Sequence, residues 1–268
     1  MSNMTPVLAV AVMWALFIGT HIGLATSRIR GALVARLGER GFLMVYSLVA
    51  AVAFAALVAT YVSVRDAGPP GWGLTAVPLA RGVLIAVIVA GFVLMTGVFS
   101  PRAYWSSPIA VLADGVRTPY GLERITRHPF FTGAVLAMGS HMMLATHLTG
   151  TVFCAGYVVL ALAGPLHQTR KLRARYGAAY DKYLAQTSAI PFLAIVRGRQ
   201  RLVAGELPWA MLALGLVVSG AIRWTHDDMF GAYGAPLTIA AAGGGFLIGA
   251  IALARSAVRK YRQAHPAG

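Results

Sequence analysis

Gly121-Leu122-Glu123-Arg124-Ile125-Thr126-Arg127-His128-Pro129 opens onto an uncharged apolar run, residues 129–148, with His141 thirteen positions after His128. Proline suits the first position of a helix and pushes the residue before it out of helical geometry. A helix therefore starts at Pro129, with His128 at its cap. Crossing a hydrocarbon layer takes about 20 apolar residues, and this run is of that length. Six more runs without Asp, Glu, Lys or Arg surround it, at residues 5–26, 42–62, 83–99, 151–166, 208–222 and 235–254. Residues 151–166 and 208–222 need flanking residues to reach across. The expectation is an all-α integral membrane bundle of about seven transmembrane helices, with residues 1–268 as a single domain.

Composition agrees with that reading. The 268 residues are 58% hydrophobic and 12% charged, which is more apolar surface than a soluble domain of this size can bury. The formal net charge of +15 would point to nucleic acid in a soluble protein. Here its distribution points to topology instead. Residues 27–41, 100–128, 167–207 and the tail from Arg255 carry 4, 4, 8 and 4 Lys+Arg, against 3 elsewhere (Arg65, Arg81 and Arg223). The positive-inside rule then gives N-out, C-in, and the partner of the basic faces is the lipid bilayer with its anionic head groups, not nucleic acid. No positive charge precedes the first run, so it reads as a retained helix rather than a cleaved leader. A lone cysteine, Cys154, gives no internal disulfide and no redox pair. All eight acidic residues lie outside the apolar runs, which speaks against carboxylate relays and di-iron carboxylate sites.

Two basic segments are long enough to be more than connectors. Residues 100–128 carry three prolines and the interfacial pair Tyr104 and Trp105, and are expected to be irregular. Residues 167–207 begin as a basic helix in which Tyr176, Tyr180 and Tyr183 share a face, serving as an aromatic anchor or as a lid; Pro191 would stop it. In the last run, Gly245 and Gly249 make a small-residue packing face.

Ionisable groups inside a bilayer are costly and therefore point to function. Arg127 and His128 stand beside the free amides of the helix that opens at Pro129. Together these suit a carboxylate or phosphate, either of a bound cofactor or of lipid. His141 is roughly 18–20 Å further along that helix and shares a face with Gly133 and Ala137. It is either hydrogen-bonded to a neighbouring helix or a ligand to metal or haem. His21 lies near the inner end of the first helix, about 7 Å from it, so by depth it matches His128 better than His141. His147 and His226 fall near the outer face, His167 near the inner one, and His265 in the tail.

Three stretches resemble the NnrU family of bacterial membrane proteins, to which zeta-carotene isomerase of plants and cyanobacteria is similar. They are His21 with Leu37-Gly38-Glu39-Arg40, Gly121 to Pro129 with His141, and Thr187-Ser188-Ala189-Ile190-Pro191-Phe192. His226 with Phe230-Gly231 and Pro236 forms a fourth. The resemblance implies a multi-pass protein of the cell (inner) membrane that binds haem b. In the isomerase branch the iron ligands are histidines, which match His21 and His141 here, and Arg127 would meet a propionate. The NnrU branch is associated with nitrogen-oxide metabolism in denitrifying bacteria. The implied activity is redox-assisted cis–trans isomerisation of a lipid-soluble polyene such as zeta-carotene. An accessory role beside a respiratory or carotenoid-pathway protein is the non-catalytic form of the same resemblance.

Residues Arg127 to Gly133, followed by Leu172 and Tyr176 to Tyr183, also resemble the membrane methyltransferases of the isoprenylcysteine and phospholipid type. In those enzymes the Arg-His-Pro region helps bind S-adenosylmethionine, and a glutamate pair precedes the matching leucine. Gln168 and Thr169 stand in its place. No catalytic residue is assigned on either reading.

Overall fold

Proline stands in the first turn of three helices, where its missing N–H costs no intrahelical bond: α1 (Thr5–Leu24), α3 (Pro78–Gly97) and α5 (Pro129–Leu144). The computed structural model describes residues 3–100, 115–232 and 236. The other helices are α2 (Ser27–Val64), α4 (Leu122–Ile125), α6 (Leu148–Tyr176), α7 (Ala178–Gln186), α8 (Leu193–Val196) and α9 (Trp209–Ala232). Among the described residues the regular structure is all helical. Tyr104 and Trp105, the tail with His265, and the last expected run with Gly245 and Gly249 lie outside the described residues.

Four described stretches are long and apolar enough to cross a membrane: Thr5–Leu24, Arg28–Val64, Pro78–Gly97 and Leu148–Tyr176. At 1.5 Å per residue, the 20 residues of α3 span about 30 Å, the thickness of a hydrocarbon core. The 16 residues of α5 reach only about 24 Å. Its helix stops at Leu144, short of the end of the apolar run. The amides of Gly71 and Gly73 take the carbonyls of Thr146 and Ala145, and Pro70 pairs with His147. His141 accordingly sits in the last turn of α5 rather than deep within a longer helix.

The chain divides into two compact units, Met1–Pro69 with His226–Gly268, and Pro70–Thr225. In the first, α1 and α2 pair in opposite directions through Phe17 on Phe54, at 5.6 Å between ring centres, and His21 on Tyr46 at 5.2 Å. Val7, Val10, Trp14 and Phe17 of α1, with Phe42, Ala53, Leu57 and Val58 of α2, are buried. The basic segment 27–41 is helical apart from Gly38. The basic residues there limit burial in hydrocarbon but do not disfavour helix. A single break interrupts α2 at Gly38, with φ 70° and ψ 168°. That region is open to glycine almost alone. Arg30 and Glu39 form an ion pair across the break, and the Arg30 guanidinium lies 5.4 Å from the centre of the Phe42 ring.

In the second unit α5 is held between α3 and α6. A Cβ on Gly133 would stand 2.4 Å from the Gly91 carbonyl oxygen, and one on Gly91 would stand 2.6 Å from that of Gly133. The two backbones are in direct contact, with Ala137 fully buried beside them. On its other side, α5 sets the Phe131 ring against Gly164 of α6. The first part of α9 closes on α3 where Gly215 meets Thr96 and Val93. α6 continues through Pro165 to Tyr176 and breaks at Gly177 before α7. The tyrosine face is not an exposed anchor. Tyr180 and Tyr183 stack at 5.6 Å and are buried on Leu172. α7 ends at Gln186, five residues before Pro191.

Candidate functional site

Two of the motif stretches, sixty residues apart in sequence, are bonded to each other. The Arg127 amide donates to the Ser188 carbonyl at 2.6 Å, and the Phe192 amide to that of Ile125 at 2.8 Å. The buried Thr126 hydroxyl lies 3.1 Å from the Ala189 carbonyl and the same distance from the Thr132 hydroxyl. Residues 125–127 and 187–192 therefore form one ordered layer at the start of α5.

Arg127 closes that layer. Its Nε donates to Thr187 Oγ1 at 2.9 Å, and its Nη2 to the carbonyls of Leu184 and Thr187 at 3.2 and 3.0 Å. A helix end leaves carbonyls without intrahelical partners and carries partial negative charge. The guanidinium satisfies both needs at the end of α7. Burial lowers the Arg127 pKa, although Tyr180 and Tyr183 oppose the effect.

His128 follows as the cap residue of α5 and is only 3% exposed. Its ring meets Phe131 edge-on at 6.1 Å, and its buried Nδ1 has no hydrogen-bond partner among the described residues. Burial, with the neighbouring Arg127 charge, pushes its pKa from 6.5 down to about 4. The imidazole is thus neutral at physiological pH, the form that can bind a metal or accept a proton.

A pH dependence of stability follows from this. Below pH 6.5 the unfolded chain binds a proton that folded His128 refuses until about pH 4. Stability should therefore fall as pH falls through that window, by up to about 3 kcal/mol. Thermal melts of wild type and His128→Gln between pH 7 and pH 4 check this. The variant should lose one proton's worth of slope; parallel curves would contradict the assignment.

Glu123 lies outside the apolar runs, so hydropathy gives no sign of its burial. It is 1% exposed, and Arg117 Nη2 donates to its Oε1 at 2.7 Å. The Tyr120 amide donates to Oε2 at 3.3 Å. Burial raises its pKa, and Arg117 partly offsets this. The available signal was its place in the motif, between Gly121 and Pro129. Arg124, a motif neighbour, makes a two-pronged contact with Glu206 through Nε at 2.6 Å and Nη2 at 2.8 Å. Its Nη1 reaches Gln200, and the bond from Arg124 holds the Glu206 carboxyl below the usual range.

His141 stands apart from this layer. His141 is thirteen residues along α5, about 20 Å from His128. Its Nδ1 lies 2.8 Å from the Ala137 carbonyl. A carbonyl only accepts, so Nδ1 is the donor in that bond. His21 belongs to the other unit, where the Tyr46 hydroxyl lies 3.1 Å from its Nε2 and 3.2 Å from its Nδ1, and Phe17 stacks on its ring.

A family model described as NnrU protein matches residues 8–233, which is most of the chain. The chain belongs to the NnrU family. A 15-cis-zeta-carotene isomerase, chloroplastic, of Arabidopsis thaliana is 28% identical to this NnrU protein over 198 residues, covering 73% of the chain and 52% of the relative. One of the same description from Zea mays is 35% identical over 82 residues, covering 31% of the chain and 22% of the relative. The NnrU chain thus spans about half the length of the Arabidopsis relative and less of the maize one. No solved structure matches it.

Proposed function

We propose that this NnrU protein is a membrane-embedded isomerase that turns a cis double bond of a lipid-soluble polyene, of the zeta-carotene class, to trans. The observation that carries this reading is the 28% identity over 73% of the chain to a 15-cis-zeta-carotene isomerase. The four apolar helices fit a substrate that arrives from the bilayer rather than from water. Isomerisation adds and removes no atoms, so the protein's part is to bind the polyene, orient one bond and exclude water.

The proposed cofactor is haem b, with His21 and His141 as its ligands. Among the described residues no three His, Cys, Asp or Glu side chains gather as a metal ion held by protein alone would need. Haem asks the protein for one or two imidazoles, and brings redox-active iron able to ease rotation about a double bond. The bond from His141 Nδ1 to the Ala137 carbonyl supports the fit, because a ligating imidazole commonly donates its other N–H to a carbonyl. Two observations favour this reading over methyl transfer. Arg127 is engaged with the end of α7, and position 168 holds a buried glutamine, without the carboxylate that would grip S-adenosylmethionine.

The test is an in-cell assay in bacteria that accumulate a 15-cis polyene, with products separated by chromatography. Wild type should convert the substrate to the trans form; unchanged substrate in the presence of well-expressed protein would refute the reading. The purified protein should show a Soret band, with sharp α and β bands on reduction. His141→Ala should lose most of its haem or become high-spin. Micromolar binding of S-adenosylmethionine by calorimetry, unaffected by His141→Ala, would turn the assignment to methyl transfer.

A further inference from the structure

The segment from Ile190 to Val203 displays apolar side chains from a backbone that is held in place. Ile190 is 62% exposed, Phe192 52% and Val196 81%, with Leu202 also exposed. These residues are not on a loose loop. The Phe192 amide is bonded to Ile125, the Ile190 amide to Ser188 Oγ at 3.0 Å, and the Arg199 and Gln200 amides to Ala194. Ala194 itself is fully buried. Phe192 has φ 61°, the left-handed region that non-glycine residues rarely take. The fold therefore accepts backbone strain while presenting an aromatic ring outward.

Charge along this segment has one sign. Arg197, Arg199 and Arg201 follow Val196, and no Asp or Glu occurs between Gln186 and Gly205. Arg197 and Arg201 are exposed, while Arg199 donates to the Ala185 carbonyl. The nearest following acid, Glu206, is tied to Arg124. Three residues later Trp209 begins α9, exposed but with its indole N–H bonded to the Ala204 carbonyl, the habit of a residue at a membrane–water boundary. Exposed apolar residues beside arginines, on a segment that follows a candidate span, match the chemistry of an anionic lipid leaflet.

We propose that residues 190–203 form a membrane wedge, separate from the spans. Ile190, Phe192 and Val196 insert among acyl chains, and Arg197 and Arg201 engage lipid phosphates. The proposal does not depend on the isomerase reading. It fixes the depth of the layer that Arg127 and His128 close, since the Phe192 amide is bonded directly to Ile125.

The test uses the full chain with Cys154→Ala and Val196→Cys, the new thiol carrying an environment-sensitive fluorophore. The protein is reconstituted into phosphatidylcholine vesicles with and without phosphatidylglycerol. Emission should shift to shorter wavelength as the anionic fraction rises. Iodide in the water should quench weakly, and a nitroxide near the lipid head group strongly. A label at exposed Lys182→Cys should stay open to iodide throughout. Arg197→Gln and Arg201→Gln should each lower the docked-to-undocked ratio about 5-fold in anionic vesicles, as expected for one arginine at such a surface. A Val196 label as open to iodide as the Lys182 label would overturn the proposal. So would shielding from iodide without nitroxide quenching, which would mean that protein covers the tip.

Discussion

Gly133→Leu should leave little folded protein to purify. At this position two helix backbones touch, because a Cβ would lie 2.4 Å from the Gly91 carbonyl oxygen and 3.1 Å from the Met95 amide nitrogen. Neither atom can rotate away as a flexible side chain could. Between apolar helices in lipid, close packing supplies much of the association energy, so moving them apart removes it along much of the contact. Overpacking a core costs about 1–3 kcal/mol where side chains can adjust, and this site should exceed that range. Gly133→Ala should be milder but still destabilising. Gly139→Leu is the control, since beyond its own helix backbone and chain neighbours no described atom lies within 4 Å of its Cβ position. Thermal unfolding in detergent, followed by size-exclusion fluorescence, reads the difference. A Gly133→Leu protein melting within about 2 °C of wild type would show that α3 and α5 do not meet here.

Arg127→Ala should have the second largest effect, and on the protein without any ligand. The substitution deletes three side-chain hydrogen bonds to Thr187 and Leu184. Hydrogen bonds from a charged group are worth about 1.5–3 kcal/mol each and do not add, so a loss of about 3 kcal/mol is expected. Arg127→Lys should recover little, because an ammonium cannot reproduce the planar fork. Limited proteolysis gives a local readout: cleavage within residues 187–192 should accelerate in both variants. If Arg127 served chiefly to hold a ligand, cofactor-free protein would melt and digest like wild type after the substitution.

Where helices begin was more legible than where they end or which face they bury. Pro129 announced the start of α5, because proline acts through local geometry that sequence displays. Its end at Leu144 depends on amides from Gly71 and Gly73, about seventy residues away, so the apolar run continued past it without a visible stop. The helical stretch before Gly38 was hidden for a different reason. Hydropathy reports fitness for hydrocarbon, and arginines spaced along a helix lower it without ending the helix. Spacing placed Tyr180 and Tyr183 on one face, but only packing on Leu172 turned that face inward. Gly133 and Ala137 were legible as a close-approach surface, whereas their partner Gly91 was one glycine among thirty. Arg127 and His128 stand out in the sequence by their place before Pro129. Glu123 was passed over because its burial comes from residues of other helices.

The break at Gly38 also divides α2 into two rotational phases, joined by the Arg30 contacts with Glu39 and Phe42. In a continuous helix, one inserted residue turns everything beyond it by about 100°. An insertion among residues 27–37 would then swing Phe42, Ala53, Leu57 and Val58 off their contacts with α1. At Gly38 the helical path is interrupted, so a change of length upstream can be absorbed there. A change of length between Arg30 and Leu37 would cost the Arg30 contacts with Glu39 and Phe42, while the face that packs beside His21 keeps its angle.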